Sequence, residues 1–164
     1  MHKRLLVMAV SAMALVLAGL AVAFLSTDEA KAAKAPIRPI YLTAVEWKGS
    51  AEVAKEPFPT SPLPEGGGYE RIPPDAAGKW NVETYRFDSA VVFACQGDRV
   101  VLRIFGVNAA FHDITMPDFN RNFRVNRGEL TTVQSFLVKK VGIFPIICLT
   151  HQPSHRADLV VMPC

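Results

Sequence analysis

The chain has 164 residues, half of them hydrophobic, and a net charge of +3 at pH 7. This length accommodates one domain of ordinary size together with a tail or an anchor. The charge is mild and no basic run is dense enough for a nucleic-acid-binding arm, so nucleic acid is excluded as a partner.

Residues 1–25 predict a membrane anchor. Lys3 and Arg4 precede an apolar run from Leu5 to Leu25 that lacks charged residues and is long enough to cross a bilayer as a helix. A cleaved signal peptide is the alternative, because Ala21-Val22-Ala23 has the small residues of a cleavage site. Since the two cations favour a cytoplasmic N-terminus, we expect a single-pass membrane protein whose soluble domain lies on the periplasmic, extracytoplasmic side.

Residues 26–79 are predicted to be a linker rich in proline and glycine. Gly66-Gly67-Gly68 indicates a flexible point within it. The segment from Ile40 to Trp47 has the β-branched and aromatic content of one possible strand, which we interpret as an edge strand or a segment packed on the domain. We expect residues 48–79 to form a long loop, of a kind that is usually functional or disordered.

From Trp80 onward, short apolar segments alternate with turn signals such as Gln96-Gly97-Asp98. We predict strands over residues 82–87, 90–94, 99–105, 111–116, 130–138, 143–148 and 157–162. No helical periodicity follows the anchor, and strands at this spacing are typical of an antiparallel sandwich or barrel. The sequence therefore predicts an all-β domain over residues 80–164.

The cysteines are odd in number for an oxidising compartment, where they usually pair. Cys95 lies in an apolar, strand-like segment, and we interpret it as a small buried hydrophobic residue. Cys164 is either free or paired, and its role stays open. Cys148 is the best candidate for metal ligation.

Cys148 is followed by His151 and His155, and His112 lies upstream. Soft thiolate and imidazole ligands suit copper, and two histidines and a cysteine with a weaker fourth ligand are typical of electron-transfer copper sites. The alternative is that these are hydrogen-bonded polar residues of a loop. We predict one copper ion bound by His112, Cys148, His151 and His155.

Residues 80–162 resemble the cupredoxin superfamily, whose fold is a Greek-key β-sandwich. The resemblance rests on these positions: Gly97-Asp98-x-Val100, Asn108, His112, Gly128-Glu129, Gly142 and the Cys148 loop. It implies that His112 comes from a strand end, whereas Cys148 and His151 come from the loop that joins the last two strands. Plastocyanin-like sites have a methionine where this chain has His155. A stronger nitrogen donor there predicts a lower reduction potential and a green or red rather than blue protein.

The motif His112-Asp113-Ile114-x-x-Pro117-x-Phe119, together with the predicted anchor, is also similar to cytochrome oxidase subunit II. That family holds a dinuclear copper centre with a second cysteine, whereas this chain has Gln152 at that position. Arg156 and Leu159 stand where the family has histidine and methionine, so we do not expect a dinuclear centre. The loop instead resembles the mononuclear nitrosocyanin type. A subunit II relative without copper is a further alternative, which the retained cysteine and histidines disfavour.

Several nearby residues have two interpretations. Met116 and Met162 are expected to pack in the core rather than to bind copper. Asp113 either orients His112 or is a solvated carboxylate. A basic edge forms either a docking surface for an acidic partner or ordinary solvated charge; it consists of Arg121, Arg124 and Arg127. Trp47 and Trp80 are expected in the core or an interface.

The resulting hypothesis is a membrane-tethered copper protein that passes single electrons between redox proteins, as a carrier or a complex subunit rather than a stand-alone enzyme. One alternative is an accessory subunit of a respiratory or photosynthetic membrane complex, with copper absent or peripheral. Another is a small copper enzyme that acts on a gas such as nitric oxide, which requires an open coordination position.

Overall fold

The computed structural model describes residues 35–164, so the predicted anchor over residues 1–25 lies outside the described residues. Between residues 35 and 164, no helix combines the length and the apolar character needed to cross a bilayer. The same part of the chain contains eleven strands and one short 3-10 turn, Pro117–Phe119. The strands are β1 Ile37–Glu52, β2 Tyr69–Ile72, β3 Lys79–Asp88, β4 Val91–Cys95, β5 Arg99–Gly106, β6 Phe111–Met116, β7 Arg121–Asn126, β8 Leu130–Thr132, β9 Phe136–Leu137, β10 Gly142–Cys148 and β11 Arg156–Met162.

The strands form two sheets. The first has the order β2-β3-β1-β5-β8, with β9 also paired to β5, and the second has the order β4-β11-β10-β6-β7. β1 pairs with β5 in parallel and so does β11 with β4, whereas the other pairs are antiparallel. The all-β prediction is confirmed, and two sheets are what a β-sandwich requires.

A continuous apolar core lies between the sheets. Its fully buried side chains come from both sheets and include Phe87, Leu102, Ile104, Ile114, Ile146 and Leu159. Burial of a side chain of this size contributes about 1.5–3 kcal/mol. Met116 belongs to this core, as predicted, but the prediction for Met162 is wrong. Strand β11 turns Leu159 and Val161 inward, so the alternation of the strand leaves Met162 exposed.

Strand β1 lies at the centre of the first sheet. Ile40, Leu42 and Ala44 alternate inward, which is why the segment forms a strand. The expectation of an edge strand was wrong, because β1 pairs with β3 on one side and with β5 on the other. The prediction of a loop over residues 48–79 is only partly right, because this range includes the end of β1 and all of β2. The compact β-unit begins at Ile37.

A disulfide joins Cys95 to Cys164, with a Cα–Cα distance of 5.5 Å. The interpretation of Cys95 as a buried hydrophobic residue was therefore wrong. The reason is topological: β4 runs parallel to β11 with Cys95 opposite Met162, so the last residue of the chain reaches the end of β4. Cys148 is the only free cysteine in the described part of the chain, and it is buried.

Candidate metal centre

The four predicted ligand residues come from two strands and the loop between β10 and β11. His112 is the second residue of β6, and Cys148 is the last residue of β10. His155 immediately precedes β11, and His151 lies in the loop. Because β10 pairs with both β6 and β11, all four residues meet at one end of the second sheet.

The side chains converge closely. One potential ligand atom from each of the four residues lies within 4.8 Å of the others, so the group can hold a metal ion. The ring centroid of His112 lies 4.8 Å from that of His155 and 5.3 Å from that of His151. The Sγ atom of Cys148 lies 3.4 Å from Nδ1 of His151. The structure thus brings together every residue that the sequence analysis named for the site.

The residues fit a metal ion because several of their buried nitrogens lack any other partner. His112, Cys148 and His155 are fully buried, whereas His151 is partly exposed. His112 Nε2 lies 3.2 Å from the carbonyl oxygen of Asn108. Within residues 35–164, His112 Nδ1 and both ring nitrogens of His155 have no hydrogen-bond partner. A buried polar group without a partner costs about 1–3 kcal/mol, and a coordinated ion would remove that cost at the nitrogens that bind it.

Burial also sets the charge of the metal-free site. It lowers the pKa of His155 to about 3, with further contributions from the positive forms of His112 and His151. Burial is likewise the main cause of the lowered pKa of His112 and of His151, and it raises the pKa of the Cys148 thiol. The three imidazoles are therefore neutral at pH 7, as a metal ligand must be, and metal binding must displace the proton of the thiol.

Backbone hydrogen bonds hold the loop between β10 and β11 in a compact form. The amide of Cys148 donates to the carbonyl oxygen of His155 at 3.0 Å, and the amide of His155 donates to that of His151 at 3.0 Å. The amide of Leu149 donates to the carbonyl oxygen of Asp113 at 2.7 Å, which connects the loop to β6. These bonds link Cys148, His151 and His155 to the strand that carries His112.

Tyr85 is a residue of the site that the sequence analysis missed. Its ring stacks on that of His151, with centroids 3.7 Å apart and an angle of 1° between the planes. Its hydroxyl group donates to Oε1 of Glu46 at 2.7 Å. Burial, followed by the Glu46 carboxylate, raises the pKa of Tyr85, so the phenol stays protonated and remains a donor. The stack covers one face of the most exposed of the four residues.

Glu46 and Asn108 extend this arrangement to β1. Burial alone would raise the pKa of Glu46, but hydrogen bonds from Tyr85 and Lys48 lower it overall, so the carboxylate stays charged. The Asn108 side chain accepts a hydrogen bond from the amide of Glu46 and donates one to its carbonyl oxygen, each at 2.8 Å. A sequence signal for Glu46 existed, since it continues the inward alternation of the apolar residues of β1.

Asp113 pairs with Arg124 instead of orienting His112. Two hydrogen bonds of 2.7 Å join the guanidinium group to the carboxylate, and Arg124 also lies 3.9 Å from the ring centroid of Phe111. Both charged side chains are exposed, so the pair contributes little to stability. The pairing neutralises Arg124 within the basic edge predicted from Arg121, Arg124 and Arg127.

No protein-family model matches the chain, and no curated protein matches it. Solved structures that match this chain include a chain of a heme-copper terminal oxidase dimer, at 14% identity and a TM-score of 0.40 over 47% of this chain and 56% of that chain. Auracyanin A, a blue copper protein from Chloroflexus aurantiacus, is 19% identical with a TM-score of 0.39 over 47% of this chain and 89% of that chain. Rusticyanin variants are 13% identical with a TM-score of 0.33 over 84% of this chain and 94% of that chain.

The names of two of these neighbours, auracyanin A and the heme-copper oxidase, identify them as copper proteins. The aligned region spans about half of the oxidase chain, 56% of its length.

Proposed function

We propose that this protein binds one copper ion through His112, Cys148, His151 and His155 and transfers single electrons between redox partners. The observation that carries the proposal is the convergence of one thiol and three imidazoles, of which two are fully buried with unpartnered nitrogens. A bound copper ion would supply a one-electron couple, which thiolate and imidazole ligands suit in both oxidation states.

The chain's own residues keep such a site rigid and dry. His112 and Cys148 lie on paired strands, and Cys148 and His155 are further joined through their backbones. Three of the four side chains are fully buried, which excludes water from most of the site. A prearranged set of ligands changes little when the charge of the site changes by one, and this favours rapid electron transfer.

His151 is the natural point of electron entry and exit. It is the only one of the four residues with part of its surface exposed. Tyr85 covers one face of its ring and fixes the orientation of the ring by stacking. A redox partner that docks over His151 would therefore approach the site more closely there than through either sheet.

Metal analysis combined with a redox titration tests this proposal. The purified protein should bind one copper per chain and show a sulfur-to-copper absorption band that disappears on reduction and returns on oxidation. The same band should be absent from Cys148→Ser. Stoichiometric zinc in place of copper, or a copper protein that does not cycle, would contradict the proposal. A metal-free protein in cells grown with copper would instead favour the accessory-subunit hypothesis.

We also retain the proposal that residues 1–25 tether the domain on the extracytoplasmic side of a membrane. The disulfide between Cys95 and Cys164 supports an oxidising compartment, because cytosolic proteins rarely keep structural disulfides. The anchor proposal rests on the apolar run from Leu5 to Leu25. Membrane fractionation tests this proposal. The chain should stay with the membrane in high salt and in carbonate, and release by either treatment would rule out the anchor.

A further inference from the structure

The run Gly66-Gly67-Gly68, which the sequence analysis treats as a flexible point, lies along the loop that carries His151 and His155. We call these three residues the glycine strap. The amide of Gly68 donates to the carbonyl oxygen of Gln152 at 2.8 Å, and the amide of Gln152 donates to the carbonyl oxygen of Gly66 at 2.7 Å. Both backbone polar groups of the residue next to His151 are thus bound by the strap.

The strap also connects this loop to β3. The carbonyl oxygen of Gly68 accepts hydrogen bonds from the Ser154 hydroxyl group at 2.7 Å and from the Tyr85 amide at 3.1 Å. Ser154 precedes His155, and Tyr85 is the residue that stacks on His151. The carbonyl group of Gly68 therefore joins Ser154, the neighbour of His155, to Tyr85 of β3, which stacks on His151.

Only glycine fits where the strap passes the loop. A Cβ atom on Gly68 would lie 2.5 Å from Ser154 Oγ and 2.7 Å from the carbonyl oxygen of Gln152. A Cβ atom on Gly66 would lie 2.6 Å from the same oxygen. Real Cβ contacts are essentially never that short, so a side chain at either position must push the strap away. Gly66 and Gly68 therefore serve the close approach of two backbones rather than flexibility.

We propose that the glycine strap positions the ligand loop, so that His151 and His155 stand in their metal-binding places before a metal ion arrives. The inference rests on the proposed copper site and deepens it. A loop without the strap would have to be ordered during metal binding, and the lost entropy would weaken that binding. Outer contacts that orient metal-binding histidines typically change metal affinity by about 10- to 100-fold.

The variant Gly68→Ala tests the strap, because it adds a methyl group against the loop at a position whose φ angle lies outside the left-handed region. Gly78→Ala is the matched control. Gly78 has a φ of +76° but no atom within 4 Å of its would-be Cβ, so this variant strains the backbone without touching the loop. Gly68→Ala should lower copper affinity by about 10- to 100-fold and alter the copper EPR spectrum. Gly78→Ala should leave both unchanged.

A second measurement needs no metal. In the metal-free protein, hydrogen exchange of the Gln152 amide reports directly on the bond to Gly66. Gly68→Ala should speed that exchange while the amides of β5 and β11 exchange as in the wild type. Ser154→Ala removes one bond to the strap without adding volume, so it gives the same test with a smaller effect if Gly68→Ala fails to fold.

The outcomes separate the two proposals. Wild-type affinity, EPR spectrum and Gln152 exchange in Gly68→Ala would overturn the positioning role of the strap. Equal losses of copper affinity in Gly68→Ala and Gly78→Ala would overturn it as well, because they would reflect general destabilisation. If the wild-type protein binds no copper, the proposed function fails, but exchange at Gln152 still decides whether the strap holds the loop.

Discussion

Of the four candidate ligands, His155 should destabilise the metal-free protein most. It is fully buried, and both of its ring nitrogens lack a hydrogen-bond partner among residues 35–164. Each unsatisfied buried group costs about 1–3 kcal/mol. Leucine has a similar volume without polar atoms, and the Phe87 ring, whose centroid lies 4.1 Å from that of His155, offers it an apolar neighbour. We therefore expect His155→Leu to stabilise the metal-free protein by at least about 2 kcal/mol, while copper binding is weakened.

This gain should grow as the pH falls. The pKa of His155 is about 3 in the folded protein, well below the ordinary value of 6.5. Between these two pH values the unfolded chain binds a proton at His155 that the folded chain excludes, so wild-type stability decreases as the pH is lowered. One such proton corresponds to a slope of about 1.4 kcal/mol per pH unit. Leucine binds no proton, so His155→Leu lacks this loss of stability at low pH.

Urea unfolding of the metal-free proteins at pH 7.5 and 5.5 measures both effects. His151→Leu is the matched control, because His151 is partly exposed and its Nδ1 already contacts Cys148. It should bring no comparable gain, since it also removes the stack on Tyr85. A His155→Leu variant less stable than the wild type, or an advantage that does not increase at pH 5.5, would show that the buried imidazole does not destabilise the metal-free protein.

Three further changes test other properties of the molecule. His155→Met should raise the reduction potential and shift the visible spectrum towards that of blue copper sites, and an unchanged spectrum would remove His155 from the ligand set. Replacing Cys95 and Cys164 by alanine should lower the unfolding free energy by about 4 kcal/mol in urea, because the disulfide closes a loop with a sequence separation of 69. The copper spectrum should persist in that variant, and unchanged stability would contradict the expectation. Tyr85→Leu should speed copper transfer to a chelator about tenfold by uncovering His151, whereas Tyr85→Phe, which keeps the ring, should change the rate much less.

The four residues that the sequence predicts as metal ligands lie together in the structure. Cys148, His151 and His155 are close along the chain, so a tight loop between two strands brings them together without long-range information. His112 reaches the site only through a tertiary contact, the pairing of β6 with β10. The resemblance to cupredoxins was needed to predict that it belongs there. The all-β fold followed from the spacing of strand and turn signals.

The elements that surround the site could not be predicted in the same way. The glycine strap looks like a linker because its partner Gln152 is far away in sequence, and only the folded structure shows that a side chain would collide there. The disulfide between Cys95 and Cys164 depends on the parallel pairing of β4 with β11, which no local pattern records. The alternation in β1 predicts a strand but does not say that both of its edges are paired.

X-ray absorption at the copper K-edge is the sharpest test of the proposed copper site, because it reports which atoms surround the ion. We expect one copper per chain with a single sulfur neighbour, from Cys148, and imidazole nitrogens in the remaining positions. The sulfur signal should vanish in Cys148→Ser and the imidazole signal should decrease in His112→Ala. A copper shell without sulfur, or a second copper at short distance, would contradict the proposed site.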